Sequence, residues 1–92
     1  MKKLTPERQQ IAELAIAEGA FAKSAAEKLN RYDVQGGGWK AWTVAIRPYW
    51  DAQETLIKTL GVSMTRAIAL IEGMMFLSDY YEPTGEPRKA VK

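Results

Sequence analysis

The chain has 92 residues, 47% of them apolar and 26% charged, with a net charge of +2. That composition belongs to one folded domain with a small core, not to a disordered chain. With neither cysteine nor histidine, it excludes a disulfide framework, thiolate and imidazole metal sites, and cysteine- or histidine-based catalysis.

In chain order, the opening carries no apolar leader: Thr5-Pro6-Glu7-Arg8 follows two lysines, so a cytoplasmic location is the expectation. Thr5 can accept from an orphan amide and Pro6 tolerates the first turn, which predicts a helix start. From there Ile11, Leu14, Phe21, Ala22, Ala25 and Leu29 form the predicted inward face, with Ala15 and Ala26 beside them. Glu18 interrupts that face and Gly19 follows it, so a bend or break into two shorter helices is expected there. Residues 30–38 form the main loop. Its run Gly36-Gly37-Gly38 reads as a hinge; no strand precedes it and no Gly-Lys-Ser/Thr follows, so it is not a phosphate loop.

The stretch 39–60 organises the expected fold. Trp39, Trp42, Ile46, Tyr49, Gln53, Leu56 and Leu60 recur at spacings of three and four, and Trp50 and Ile57 widen the seam. Lys40, Arg47, Asp51, Glu54, Thr55 and Lys58 gather opposite. All three tryptophans lie here, so this helix is expected to be the slab on which the others pack. Pro48 falls inside it. Because the apolar phase runs through the proline without slipping, one helix kinked at Pro48 is favoured over two helices.

Gly61 fits a left-handed helix stop, and Ser63 caps a final helix predicted over residues 64–80. Its wide apolar face carries Met64, Ala67, Leu70, Ile71, Met74, Met75 and Leu77. A second stripe of Ala69, Phe76 and Tyr80 lies opposite, flanked by Thr65, Glu72 and Asp79 and by Arg66 and Gly73. No run approaches the roughly 20 apolar residues that a bilayer requires. The predicted organisation is an all-α bundle of three to five helices over residues 1–81, followed by a flexible basic tail over 82–92.

The inventory holds no catalytic constellation. Asp51 and Glu54 sit among Arg47 and Lys58 on a polar face, where surface pairing is the ordinary outcome, and three serines without a histidine form no triad. No catalytic residue, cofactor or metal is expected. Tryptophans interleaved with lysine and arginine can mark a single-strand stacking platform, but the period turns the rings inward and Lys40 and Arg47 outward. Gln53, Ile57, Gly61 and Val62-Ser63 are spaced like the first helix and turn of a helix-turn-helix. Ile57 replaces the usual small residue there, and Ala67 a larger aliphatic one. Leu4-Thr5-Pro6-Glu7, Ile11-Ala12-Glu13-Leu14 and Ala26-Glu27-Lys28-Leu29 together resemble the first helices of LuxR-type DNA-binding domains. The resemblance implies a DNA-binding domain, but it covers only residues 4–29 and no recognition helix follows the loop.

The expected function is therefore a non-catalytic protein-protein interaction module, of the accessory or inhibitor kind that phages and mobile elements encode, acting by occupying a surface of a host protein. Its expected partner surface is Phe76 and Tyr80 with Ala69, Glu72 and Arg66, and a homodimer is the first occupant to consider. The alternative is a small DNA-binding regulator using Lys2, Lys3, Thr65, Arg66, Arg88, Lys89 and Lys92.

Overall fold

A computed structural model describes residues 2–29, 31–32 and 37–82. It is mostly helical, with three α-helices, α1 (Pro6–Glu27), α2 (Gly38–Leu60) and α3 (Met64–Ile71). A short 3-10 turn follows at Leu77–Asp79. One feature lies outside an all-α description: β1 (Lys2–Lys3) pairs in parallel with β2 (Tyr81–Glu82). The tail expected from residue 82 lies outside the described residues from 83 onward, and Glu82 itself belongs to β2. Gly36 of the expected hinge is likewise outside them.

The start of α1 forms as its sequence dictates. Thr5 is extended, its hydroxyl accepts from the Arg8 amide at 3.1 Å, and Pro6 occupies the first turn. The helix then runs unbroken to Glu27, so the break expected at Gly19 does not occur. Gly19 is buried, and a methyl group placed on it would lie 2.8 Å from the Ala52 side chain of α2 and 3.2 Å from Ile71. The glycine marks closest approach between helices rather than a weak point within one.

This contact decides which side of α1 faces inward. The buried positions are Ala12, Ala15, Gly19, Ala22 and Ala26, a seam of small residues at spacings of three and four. Ile11, Leu14, Phe21 and Leu29, expected in the core, are exposed, Phe21 at 78%. Their stripe is offset from the seam by one residue, roughly 100° around the helix.

In α2, Pro48 sits inside one continuous helix, as the unbroken apolar phase predicts. Ile46, Tyr49, Ala52, Gln53 and Leu56 are buried. Both α1 and α3 pack on α2, as expected of it, but its tryptophans are not what they pack against. Trp39 and Trp50 are 59% and 42% exposed, and only Trp42 is packed, half-buried, against the core. With 100° per residue, Trp39 and Trp50 lie roughly 140–160° around α2 from Ala52, and Trp39 is in its first turn. Leu56 and Leu70 are the largest side chains completely shielded from solvent.

The final helix ends nine residues sooner than predicted. Gly73 adopts φ 78°, its amide bonds to the Leu70 carbonyl, and the Met74 amide bonds to Ala69 at 2.9 Å. These two bonds close a Schellman motif that satisfies the last carbonyls of α3 and reverses the chain. Apolar residues continue past Gly73, but they line a turn, not a helix face.

Gly19→Ala should therefore destabilise the fold by about 1–2 kcal/mol, because overpacking outweighs the gain in helix propensity. Combining it with Ala52→Gly should cost less than the two single changes summed, and urea unfolding midpoints of the four proteins measure that coupling. Pro48→Ala should leave the midpoint unchanged or raised, since it restores a donor within a continuous helix.

Candidate functional site

Of the expected partner surface, the early end of α3 leaves no stripe. Ala69 is buried. Phe76 is 62% exposed but belongs to the turn, where its amide donates to the Asp79 carboxylate at 2.8 Å. The Tyr80 hydroxyl donates to the Met75 sulfur, and the Arg66 guanidinium lies 4.7 Å from the Tyr80 ring centre. Phe76 borders a pocket of about 380 Å³ with Leu4, Ile16, Leu70 and Leu77. Tyr80 and Arg66 border another cleft, beside Leu60 and Tyr81. The anchors thus face different recesses.

Glu72 is exposed but already engaged within the chain. It caps α3 at the C-terminal end, where the aligned carbonyls disfavour a negative charge, and its carboxylate finds two partners instead. The Lys23 ammonium of α1 lies 3.0 Å away, and the Tyr49 hydroxyl of α2 donates to it at 3.0 Å. One carboxylate therefore ties all three helices together. Lys23, by its hydrogen bond, and then Tyr49 hold the Glu72 carboxyl below its ordinary 4.5. Glu72 in turn raises Lys23 above 10.5. Burial first, and Glu72 second, push the Tyr49 hydroxyl above 10.0.

The positions expected to meet DNA are scattered. The Lys2 and Lys3 backbones pair with Tyr81 and Glu82, so Lys3 is set beside a carboxylate-bearing residue. Thr65 and Arg66 are exposed on the first turn of α3, while Arg88, Lys89 and Lys92 lie outside the described residues. As a recognition helix α3 has eight residues, four of which, Ala67, Ala69, Leu70 and Ile71, are buried. Among the described residues no cluster of carboxylates suits a metal.

Two surfaces emerge that the sequence pattern had assigned to the core. The first is the outward stripe of α1: Ile11, Leu14, Phe21 and Leu29, with Ala25 half-buried between them. Exposed Glu7 and Glu18 share its line, and neither pairs with a cation among the described residues. The stripe turns away from α3, because the α3 contacts of α1 fall on the opposite flank at Ile16 and Lys23.

The second is an aromatic ladder on α2. Trp39 and Trp42 stack with ring centres 5.4 Å apart, and Trp42 meets Trp50 edge-on at 5.9 Å. The Arg31 guanidinium lies 5.0 Å from the Trp42 ring centre and 5.2 Å from that of Tyr32. The signal that could have found both surfaces is the pairing of small residues, Gly19 and Ala52, which sets where two helices touch.

No protein-family model, curated protein or solved structure matches the chain. No helix among the described residues is long and apolar enough to cross a membrane.

The Glu72 clamp gives a pH dependence of defined sign. A lowered carboxyl pKa contributes stability that is complete above 4.5 and is lost as pH falls below that value. A raised Lys23 contributes below 10.5 and is lost as pH rises beyond it. Glu72→Gln should cost about 1 kcal/mol at pH 7 for this partly exposed pair. Melting temperatures from pH 3 to 8 should show that difference shrinking below pH 4.5.

Proposed function

We propose that this protein is a non-catalytic protein-binding module whose working surface is the outward stripe of α1. The observation that carries the reading is the reversal of that helix. Alanine and glycine face the core, while Ile11, Leu14 and Phe21 face solvent. Monomeric proteins rarely leave large contiguous apolar patches open, and such patches mark interaction surfaces. A row at i, i+3 and i+10 along one helix suits an amphipathic helix laid beside it.

Charge selects the occupant. Glu7 and Glu18 interrupt the stripe, so the matching helix carries lysine or arginine between its apolar anchors. A second copy stacked about the stripe's midpoint would oppose Glu18 to its own twin, which disfavours a homodimer on this face. Occupying a partner's basic amphipathic helix is the kind of action an accessory or inhibitory protein performs without chemistry.

Leu14→Ser combined with Phe21→Ser should change unfolding free energy by no more than about 0.5 kcal/mol per site, because both side chains are exposed. A photo-crosslinking residue at position 21, with one at Lys58 as control, tests the surface in the native cell. Crosslinks specific to position 21 that map to a basic amphipathic helix support the proposal. Crosslinks to a second copy of this chain, or a double substitution that unfolds the protein, overturn it.

A further inference from the structure

The aromatic ladder on α2 lies away from the α1 stripe and carries its own chemistry. The sequence pattern turns the tryptophans inward and the cations outward, which argues against a stacking platform. The structure removes that objection. Trp39 and Trp50 are exposed, and Arg47 is three residues before Trp50, one helical turn away on the same side. Thr43, four residues after Trp39, donates its hydroxyl to the Trp39 carbonyl at 2.7 Å. Lys40 is exposed beside Trp39.

Cations outnumber carboxylates along the ladder, with exposed Glu27 and Asp51 bounding the stretch on either side. Between Lys28 and Trp50 the sequence holds Lys28, Arg31, Lys40 and Arg47 against the single carboxylate Asp33, which lies outside the described residues. Farther along α2, Glu54 is engaged by Lys58 at 4.0 Å and Asp51 marks the acidic margin. Rings flanked by cations attract a ligand that offers both flat π-faces and negative charge. An unpaired nucleic acid strand offers the two in alternation, base and phosphate. A duplex does not, because its base faces are already stacked on one another.

We infer that the outer face of α2 from Trp39 to Trp50 binds single-stranded nucleic acid, bases stacking on Trp39 and Trp50 and phosphates meeting Arg31, Lys40 and Arg47. Three phosphate contacts give a log–log salt slope of about −2 for a single strand. Affinity should therefore fall about 20-fold between 50 and 200 mM salt.

The experiment titrates the full chain with a fluorescein-labelled 15-residue oligothymidylate, reading both anisotropy and quenching of tryptophan emission. Trp39→Ala and Trp50→Ala should each weaken binding about tenfold or more, with unchanged far-ultraviolet circular dichroism because both rings are exposed. Arg47→Ala should weaken it less and make the salt slope shallower. A duplex of the same length should bind more weakly than the single strand. The inference is overturned by absence of binding at 50 mM salt, or by equal affinity for duplex. It is also overturned if affinity is insensitive to both tryptophan substitutions but lost in a Lys2→Ala, Lys3→Ala, Arg88→Ala, Lys89→Ala variant. Quenching by anionic vesicles but not by the oligonucleotide would assign the ladder to a lipid surface instead.

Discussion

The contact between Gly19 and Ala52 is the constraint on which the rest of this structure depends. A single added methyl would bring carbon atoms to 2.8 Å, so the approach of α1 to α2 leaves no room for a side chain at Gly19. Helices that approach this closely must meet through small side chains, and the alanines of α1 supply them. Large residues are then excluded from the seam on steric grounds, whatever their hydrophobicity. They move to the flanks, where α3 covers one side and nothing in the described chain covers the other. Exposed Phe21 and exposed Trp50 are thus two consequences of one crossing.

A short α3 changes how the three helices are held. Eight residues bury Ala67, Ala69, Leu70 and Ile71, which is a modest apolar area for locking a third element in place. Glu72 supplements it electrostatically from the end of the helix, reaching Lys23 and Tyr49. Being at a C-terminus the carboxylate is disfavoured by the helix carbonyls, so Lys23 neutralises it while Lys23 and Tyr49 together fix the orientation of α3. The same end is closed by Gly73, whose left-handed conformation permits the Schellman bonds. Packing, capping and ion pairing converge within residues 69–74.

Much of the fold was legible from local signals. Thr5-Pro6, Gly61 and Ser63 marked helix ends because each acts through its own backbone neighbourhood, independent of the rest of the chain. The unbroken phase across Pro48 identified one helix because periodicity is likewise local. Two features were not legible. Gly73 competed with an apolar pattern continuing through Leu77, and periodicity gave that pattern the greater weight although the glycine's stop signal decided the outcome. Of the expected inward face of α1, Ala15, Ala22 and Ala26 are buried while the large residues are not, because hydrophobicity ranks Ile11 and Phe21 above alanine whereas close packing ranks them by volume. The expected Phe76–Tyr80 stripe does not form as a helix face, since α3 ends at Ile71 before either residue is reached.

The same reasoning separates a hydrophobic face from a buried one. A helix apolar around more than half its circumference can bury only the arc that its neighbours reach. In α2 that arc runs from Ala52 through Tyr49 to Ile46; Trp50 lies past its edge, and Trp39 lies in the first turn of the helix. Stacking with Trp42 shields part of their surface and fixes the rings relative to one another, which lowers the entropy that a ligand's arrival must remove. Arg31, held against Trp42 from outside the helix, extends that ordering to a cation. What stacking leaves open on Trp39 and Trp50 stays in solvent, with exposed Arg47 one helical turn from Trp50, and the inferred binding face rests on that juxtaposition.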